Sequence, residues 1–258
     1  MLHKIQQFYW DIDFLKNNSL IKSNDFGIPQ KVREINYPLR LARYWFMLHL
    51  LKKESQSLGP IDVCEIGVDY GQMKLFLNAA SSKNKVLINK WDAVDVKIQK
   101  KHLFKIGYDN FYEIDLESDK FSLSTKKYDV IIVLHLLEHL FDPEKLMKKI
   151  SKNLKFNGVI IGGFPCLPDF LRQPRENKIR PIAKKYGHVS VFSKKRVIDI
   201  ALKNNLTLEF YSGAYFMRKK GFFLENFKWW FKFNILFGAL FPSWIGESYW
   251  LMRKKSQE

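Results

Sequence analysis

The sequence predicts an α/β protein built on a doubly wound, mostly parallel sheet, with an antiparallel strand last. Three observations carry that expectation. From Ile61 onward, short apolar runs alternate with helical patterns, the order that joins parallel strands through crossover helices. The first run, Ile61–Ile66, ends in an acidic residue and a glycine-bearing turn, and a helical pattern opens at Gln72. Later helices have clear starts, Asp142-Pro143-Glu144 and Ser193, each just before an apolar periodic stretch.

In chain order, residues 38–54 read as an amphipathic helix with Leu41, Trp45 and Leu48 on one stripe, inside an N-terminal helical segment, 1–55. Strands are expected at Ile61–Ile66, 91–96, 111–114, Tyr128–Leu134 and 159–164, with helices at 72–80, 98–106 and 143–154. Gly158 punctuates the return into the fifth strand. A long loop with Pro165, Pro168, Pro174 and Pro181 follows, then a helix over 193–205 and a strand over 207–211. These elements make a core spanning 56–221. Residues 222–247 differ: they are crowded with Phe and Trp and interrupted by Lys228 and Lys232. The longest uncharged run there, 233–245, is too short to span a bilayer. It suits either a buried cover over the active site or a peripheral contact of 222–246 with anionic lipid. In the last segment, 248–258, residues 249–253 read as an edge strand.

The chain has 258 residues, 47% of them hydrophobic, enough for a sizeable core. Cys64 and Cys166 cannot make a disulfide framework, and the first residues lack the pattern of a signal peptide, so a reducing, cytoplasmic setting is expected. Net charge is +17, and it is uneven: residues 171–258 hold 18 Lys/Arg against 6 Asp/Glu, so 18 − 6 leaves +12 in that third. Partners there should be anionic: phosphates, acidic lipid head groups or nucleic acid.

The turn after the first strand holds Glu65, Gly67, Asp69, Gly71 and Gln72. Its glycines allow close backbone approach, and a helix N-terminus faces the ligand side. A nicotinamide-dependent oxidoreductase would want GxGxxG here, which is absent. The stretch Val63-Cys64-Glu65-Ile66-Gly67-Val68-Asp69-Tyr70-Gly71 resembles motif I of the class I S-adenosylmethionine-dependent methyltransferases, with Asp69 where the family has its middle glycine. The resemblance runs from about Ile61 to Tyr211. Asp95 stands where the family's second strand ends, and Asp115 after the third. Leu137-Glu138-His139 followed by Asp142-Pro143, then 154–160 and 187–193, are similar to later family segments.

The resemblance implies a Rossmann-like fold and S-adenosylmethionine as cofactor. It places Glu65, Gly67, Asp69, Gly71 and Gln72 at the cofactor turn, Asp95 on the ribose hydroxyls and Asp115 near the adenine amine. Leu116 and Leu134 join the cofactor set. A carboxylate suits a ribose because it accepts two hydroxyl hydrogen bonds at once. His135, Glu138 and His139 fall at helical spacing (i, i+3, i+4) and, with His188, resemble the ligand set of metal-dependent relatives; a divalent ion there would lower the acceptor's pKa. Without a metal, His135 or His188 is the general base. Arg172, Arg175, Lys178 and Arg180, in the proline-bearing loop, suit a phosphate. The expected activity is O-methylation of a hydroxyl on an anionic small molecule: a sugar phosphate, a nucleotide sugar or a glycan precursor. An RNA ribose, a quinone, or a non-catalytic binding module on the same fold stay open.

Overall fold

The structure is a computed structural model that describes residues 38–80, 85–118, 123, 125–217, 219 and 222–255; His3 and the rest of 1–37 lie outside them. Its sheet comprises β1 (Ile61–Ile66), β2 (Ile88–Asp95), β3 (Phe111–Glu113), β4 (Tyr128–Leu134), β5 (Leu154–Cys166), β6 (Leu206–Gly213) and β7 (Gly246–Lys254). The strand order is β3-β2-β1-β4-β5-β7-β6. The first five pair in parallel, and β7 runs antiparallel to both β5 and β6. The doubly wound, mostly parallel sheet and the antiparallel last strand are as the sequence predicts.

The position of that last strand is a correction. β7 lies between β5 and β6, not at the edge. The reason is two-faced burial: Tyr249 and Leu251 enter the core on one side of the sheet, and Trp250 and Met252 the core on the other. A strand apolar on both faces needs cover and neighbours on both sides. β5 accommodates the aromatic pair with glycines, since a Cβ on Gly163 would lie 2.3 Å from Tyr249 Cδ1.

Helices cover both faces. α1 (Pro38–Leu58), α2 (Gln72–Ala79) and α3 (Lys100–Ile106) pack on the side of Val63 and Ile132. The opposite side, with Ile131 and Ile160, takes α4 (Pro143–Ser151) and, after the α5 segment described next, α6 (Lys194–Lys203). The caps work as expected: Asp142 Oδ1 accepts the Lys145 N–H at 2.9 Å, and Ser193 Oγ accepts that of Arg196 at 3.3 Å. α1 departs from its expected single stripe, for it is buried on nearly every side from Leu39 to Leu51.

Two more corrections concern the second half. β5 starts at Leu154, before Gly158, because Leu154 already pairs with Tyr128. The proline-bearing loop contains a helix, α5 (Asp169–Ile179), with Pro174 inside it. Its inward residue Glu176 accepts from the Val191 N–H at 2.9 Å and Arg196 Nη1 at 2.7 Å, and these tertiary bonds outweigh the hydrogen bond that proline removes. Within 222–247, α7 (Lys228–Leu240) buries Trp230, Phe231, Asn234, Ile235, Gly238 and Ala239. It lies close on β6, where a Cβ on Gly238 would meet Gly213 O at 2.5 Å.

Candidate functional site

The sheet order reverses between β1 and β4, the place where open α/β sheets bind ligands beyond their carboxyl ends. A cleft of about 570 Å³ opens there. Gly67, Asp69, Asp95, Asp115 and Leu116 line it, all of them expected at the cofactor. Asp69 takes a left-handed backbone, φ 47°, which short polar side chains tolerate better than most. Glycine reaches the same left-handed conformation without strain, so Asp69 leaves the turn's backbone open to the form a glycine would take. Its N–H donates to Asp95 Oδ2 at 2.9 Å, while the Val96 N–H donates to Asp95 Oδ1 at 2.7 Å. These bonds fix the Asp95 carboxylate at the cleft wall. Desolvation, and then the Asp95 charge, push the Asp69 carboxyl above its ordinary range.

Asp115 is held by the Glu117 N–H at 3.0 Å, and Glu117 Oε1 accepts from the Phe141 N–H at 2.7 Å. Glu117 lines the same cleft and was not foreseen. Val96, Leu116, Leu136 and Leu140 supply apolar walls. Carboxylates at the end of β2 and after β3, a glycine turn and apolar walls make a lining that fits S-adenosylmethionine.

Four expected cofactor residues lie elsewhere. Glu65 is buried inside the domain; its Oε2 accepts from Trp91 Nε1 at 3.1 Å and Tyr108 Oη at 2.7 Å, and it is not in the cleft wall. Burial pushes its carboxyl up to about 7, against the pull of those two bonds and of Lys74. At Gly71, φ is 68° and a Cβ would lie 2.9 Å from Leu103 Cδ2, so glycine here serves helix packing. Gln72 opens α2 and Leu134 ends β4; neither lines this cleft, where Leu136 does.

A second cleft of about 240 Å³ lies beyond β5 and β7, lined by Pro165, Tyr215, Phe216, Met217, Ile245 and Glu247 among others. His135 lines neither cleft but neighbours both linings: Leu136, next in the chain, lines the first, and Glu247 lines the second. It follows β4 with φ 53°, its N–H bound to Gly163 O at 2.8 Å. Its Nδ1 is 3.0 Å from Glu138 Oε1, and its Nε2 is 3.4 Å from Glu247 Oε2. That Nε2 is buried without a hydrogen-bond partner among the described residues. Glu247, buried on β7, also accepts from Arg43 Nη2 at 2.6 Å and Tyr249 Oη at 2.5 Å. No local pattern marks Glu247, because only the antiparallel return of β7 beside β5 brings it to His135.

The expected four-residue metal set does not assemble whole. Leu137–His139 is a 3₁₀ turn, and the left-handed His135 before it points toward Glu247. Donor atoms of Glu138, His139 and His188 come within 4.8 Å of one another, without His135. Burial opposes ionisation of Glu138, but the hydrogen bond from His135 and the charges of His135 and His139 hold its carboxyl below the usual range. His139 Nδ1 is 3.2 Å from Gly187 O, and its ring meets that of His188 edge-on, centroids 4.8 Å apart. Desolvation, reinforced by His139 and opposed by Glu138, lowers the His188 pKa.

The four cations of the proline-bearing segment also separate. Arg180 donates to Val189 O at 3.0 Å and Phe141 O at 2.9 Å, and pairs with Glu176 at 2.9 Å. Arg172 lies 3.9 Å from Asp169 beside a third, polar cleft; Arg175 and Lys178 are exposed on α5. None of the four lines the two clefts that flank His135.

Comparison with known proteins agrees with this geometry. No curated protein matches the sequence. Among solved structures, the chain is similar to the N-methyltransferase NodS from Bradyrhizobium japonicum, solved with S-adenosyl-L-homocysteine, at 14% identity, covering 90% of this chain and 96% of that one, TM-score 0.55. A putative sarcosine dimethylglycine methyltransferase from Galdieria sulphuraria is 14% identical over 81% of this chain and 86% of its own, TM-score 0.53. An O-methyltransferase family protein from Burkholderia thailandensis is 11% identical over 93% and 64%, TM-score 0.51. At these identities the likeness shows the fold. The family profile described as "Methyltransferase domain" matches residues 40–209, well over half of the 258. The chain belongs to that family: it is a class I, S-adenosylmethionine-dependent methyltransferase.

Proposed function

We propose that the enzyme is an O-methyltransferase whose acceptor is a sugar hydroxyl, on an anionic nucleotide-linked or lipid-linked glycan precursor. The observation that carries it is His135, which has a carboxylate at each ring nitrogen, one of them Glu247 of the second cleft. An amine attacks as its free base, whereas an alcohol needs its proton removed as it attacks. With Nδ1–H donated to Glu138, Nε2 is the acceptor. It takes the hydroxyl proton as the oxygen attacks, and Glu247 stabilises the resulting imidazolium. S-adenosylmethionine would supply the methyl group, its sulfur–methyl bond breaking as the oxygen–carbon bond forms and leaving a neutral thioether. Tyr215 and Phe216 in the second cleft suit stacking on a sugar face. The charge of the C-terminal third suits an anionic acceptor.

The test is methyl transfer from labelled cofactor to nucleotide sugars, quinone precursors and RNA. His135→Ala should lower kcat about 10²- to 10⁴-fold while the thermal shift produced by S-adenosylmethionine stays. Transfer confined to amine acceptors, or an unchanged kcat, would sink the reading. No thermal shift in the wild type would favour a binding module without cofactor. The convergence of Glu138, His139 and His188 favours one second reading, a divalent ion at those donors. A metal-free elemental analysis together with activity that survives a chelator would rule it out.

A further inference from the structure

The outward side of α7 is as apolar as its buried side. Trp229, Phe233, Leu236 and Leu240 follow a helical stripe and are 55%, 41%, 48% and 48% exposed. Phe227 before the helix and Phe241, Trp244 and Ile245 after it extend the patch, each close to half exposed. A helix with one wall on its own sheet should be polar on the other. Large exposed apolar patches on a folded chain mark an interaction surface.

Charge selects the partner. From residue 227 to 245 the sequence carries Lys228 and Lys232 and no Asp or Glu, and both lysines are exposed. No helix among the described residues is long and apolar enough to cross a membrane. Trp and Phe flanked by lysine, on a helix too short to span, is the composition of an element lying in a membrane interface. A self-paired dimer through this face would bring the lysines of the two copies toward one another.

We propose that the outer face of α7 docks on an anionic lipid bilayer, with the helix in the plane of the head groups. Phe216, Met217 and Ile245 belong both to the exposed apolar surface and to the wall of the second cleft. Docking therefore turns the mouth of that cleft toward the membrane. This orientation rests on the acceptor reading above and favours the lipid-linked form of the acceptor; the docking itself does not depend on it.

The experiment uses the full chain with vesicles of phosphatidylcholine alone or mixed with phosphatidylglycerol, read by co-sedimentation and by tryptophan quenching with brominated lipid. The wild type should bind the anionic vesicles, be quenched, and be released by salt. Lys228→Gln with Lys232→Gln should weaken binding roughly thirtyfold, at about a tenfold loss per 1.4 kcal/mol and ~1 kcal/mol per lysine near the surface. Trp229→Ser with Phe233→Ser should abolish quenching. Both variants should keep the thermal shift with S-adenosylmethionine, which shows that they fold. A wild type that stays in the supernatant, variants that bind unchanged, or a dimer dispersed by the same substitutions would each overturn the docking. Loss of the thermal shift in the wild type would instead overturn the cofactor reading, and the vesicle result would stand by itself.

Discussion

Glu65 is the next-to-last residue of β1, where the family resemblance set it against the cofactor, yet Trp91 and Tyr108 hold it inside the domain. Burial raises its pKa from 4.5 to about 7, so the folded state binds a proton that the unfolded chain has already released. Stability is then fully present below about pH 4.5 and falls as pH rises toward 7, by on the order of 3 kcal/mol. Glu65→Gln keeps an acceptor for both donors and removes the ionisation. Melting curves from pH 5 to 8 should show the wild type losing Tm across this window more steeply than the variant; parallel curves would refute the assignment. Asp95 and Asp115 were legible because each follows a strand that the local pattern reveals. Glu247 was not, since its importance depends on a pairing between distant segments.

At the scale of elements, Arg196 ties α6 to its neighbours. It binds Glu144 on α4 through Nε at 2.8 Å and Nη2 at 3.0 Å, and Glu176 on α5 through Nη1 at 2.7 Å. The Arg196 and Glu176 side chains are largely buried. Arg196→Met should cost about 1–3 kcal/mol, because Glu176 loses the buried cation on Oε2 and keeps only the more exposed Arg180 on Oε1. Adding Glu176→Gln to that variant should recover part of the loss, measured by urea denaturation; strict additivity would show that the pair is uncoupled. This network also explains why α5 escaped the sequence. Four prolines from 165 to 181 signalled a loop, and contacts with distant residues, Val191 and Arg196 on Glu176, help the helix hold there. α4 and α6, by contrast, carry their start signals in their own caps.

For the whole molecule, the decisive element is β7. Treated as an edge strand it would be dispensable, but it completes both cores from between β5 and β6. Stopping the chain at Ser248 removes Tyr249, Trp250, Leu251 and Met252, all buried. At ~2–5 kcal/mol for each large buried side chain, the loss rivals the roughly 5–15 kcal/mol that holds a whole domain together. The truncated chain should lose cooperative unfolding by circular dichroism; a sharp transition near the wild-type Tm would contradict the strand order. The sequence held a hint in the unbroken apolar run 249–252, since an edge strand with one wet face alternates.

The sequence by itself determined the parallel half of the sheet, the capped helices, the glycine turn and the carboxylates after β2 and β3. Each of these is set by residues adjacent in the chain, through hydrophobic period, capping and turn chemistry. Only the tertiary structure decided that Glu65 faces inward, that His135 meets Glu247, that the metal set lacks His135, and that α7 leaves one apolar side uncovered. Those outcomes depend on which distant surfaces bury each other, and no local pattern encodes that.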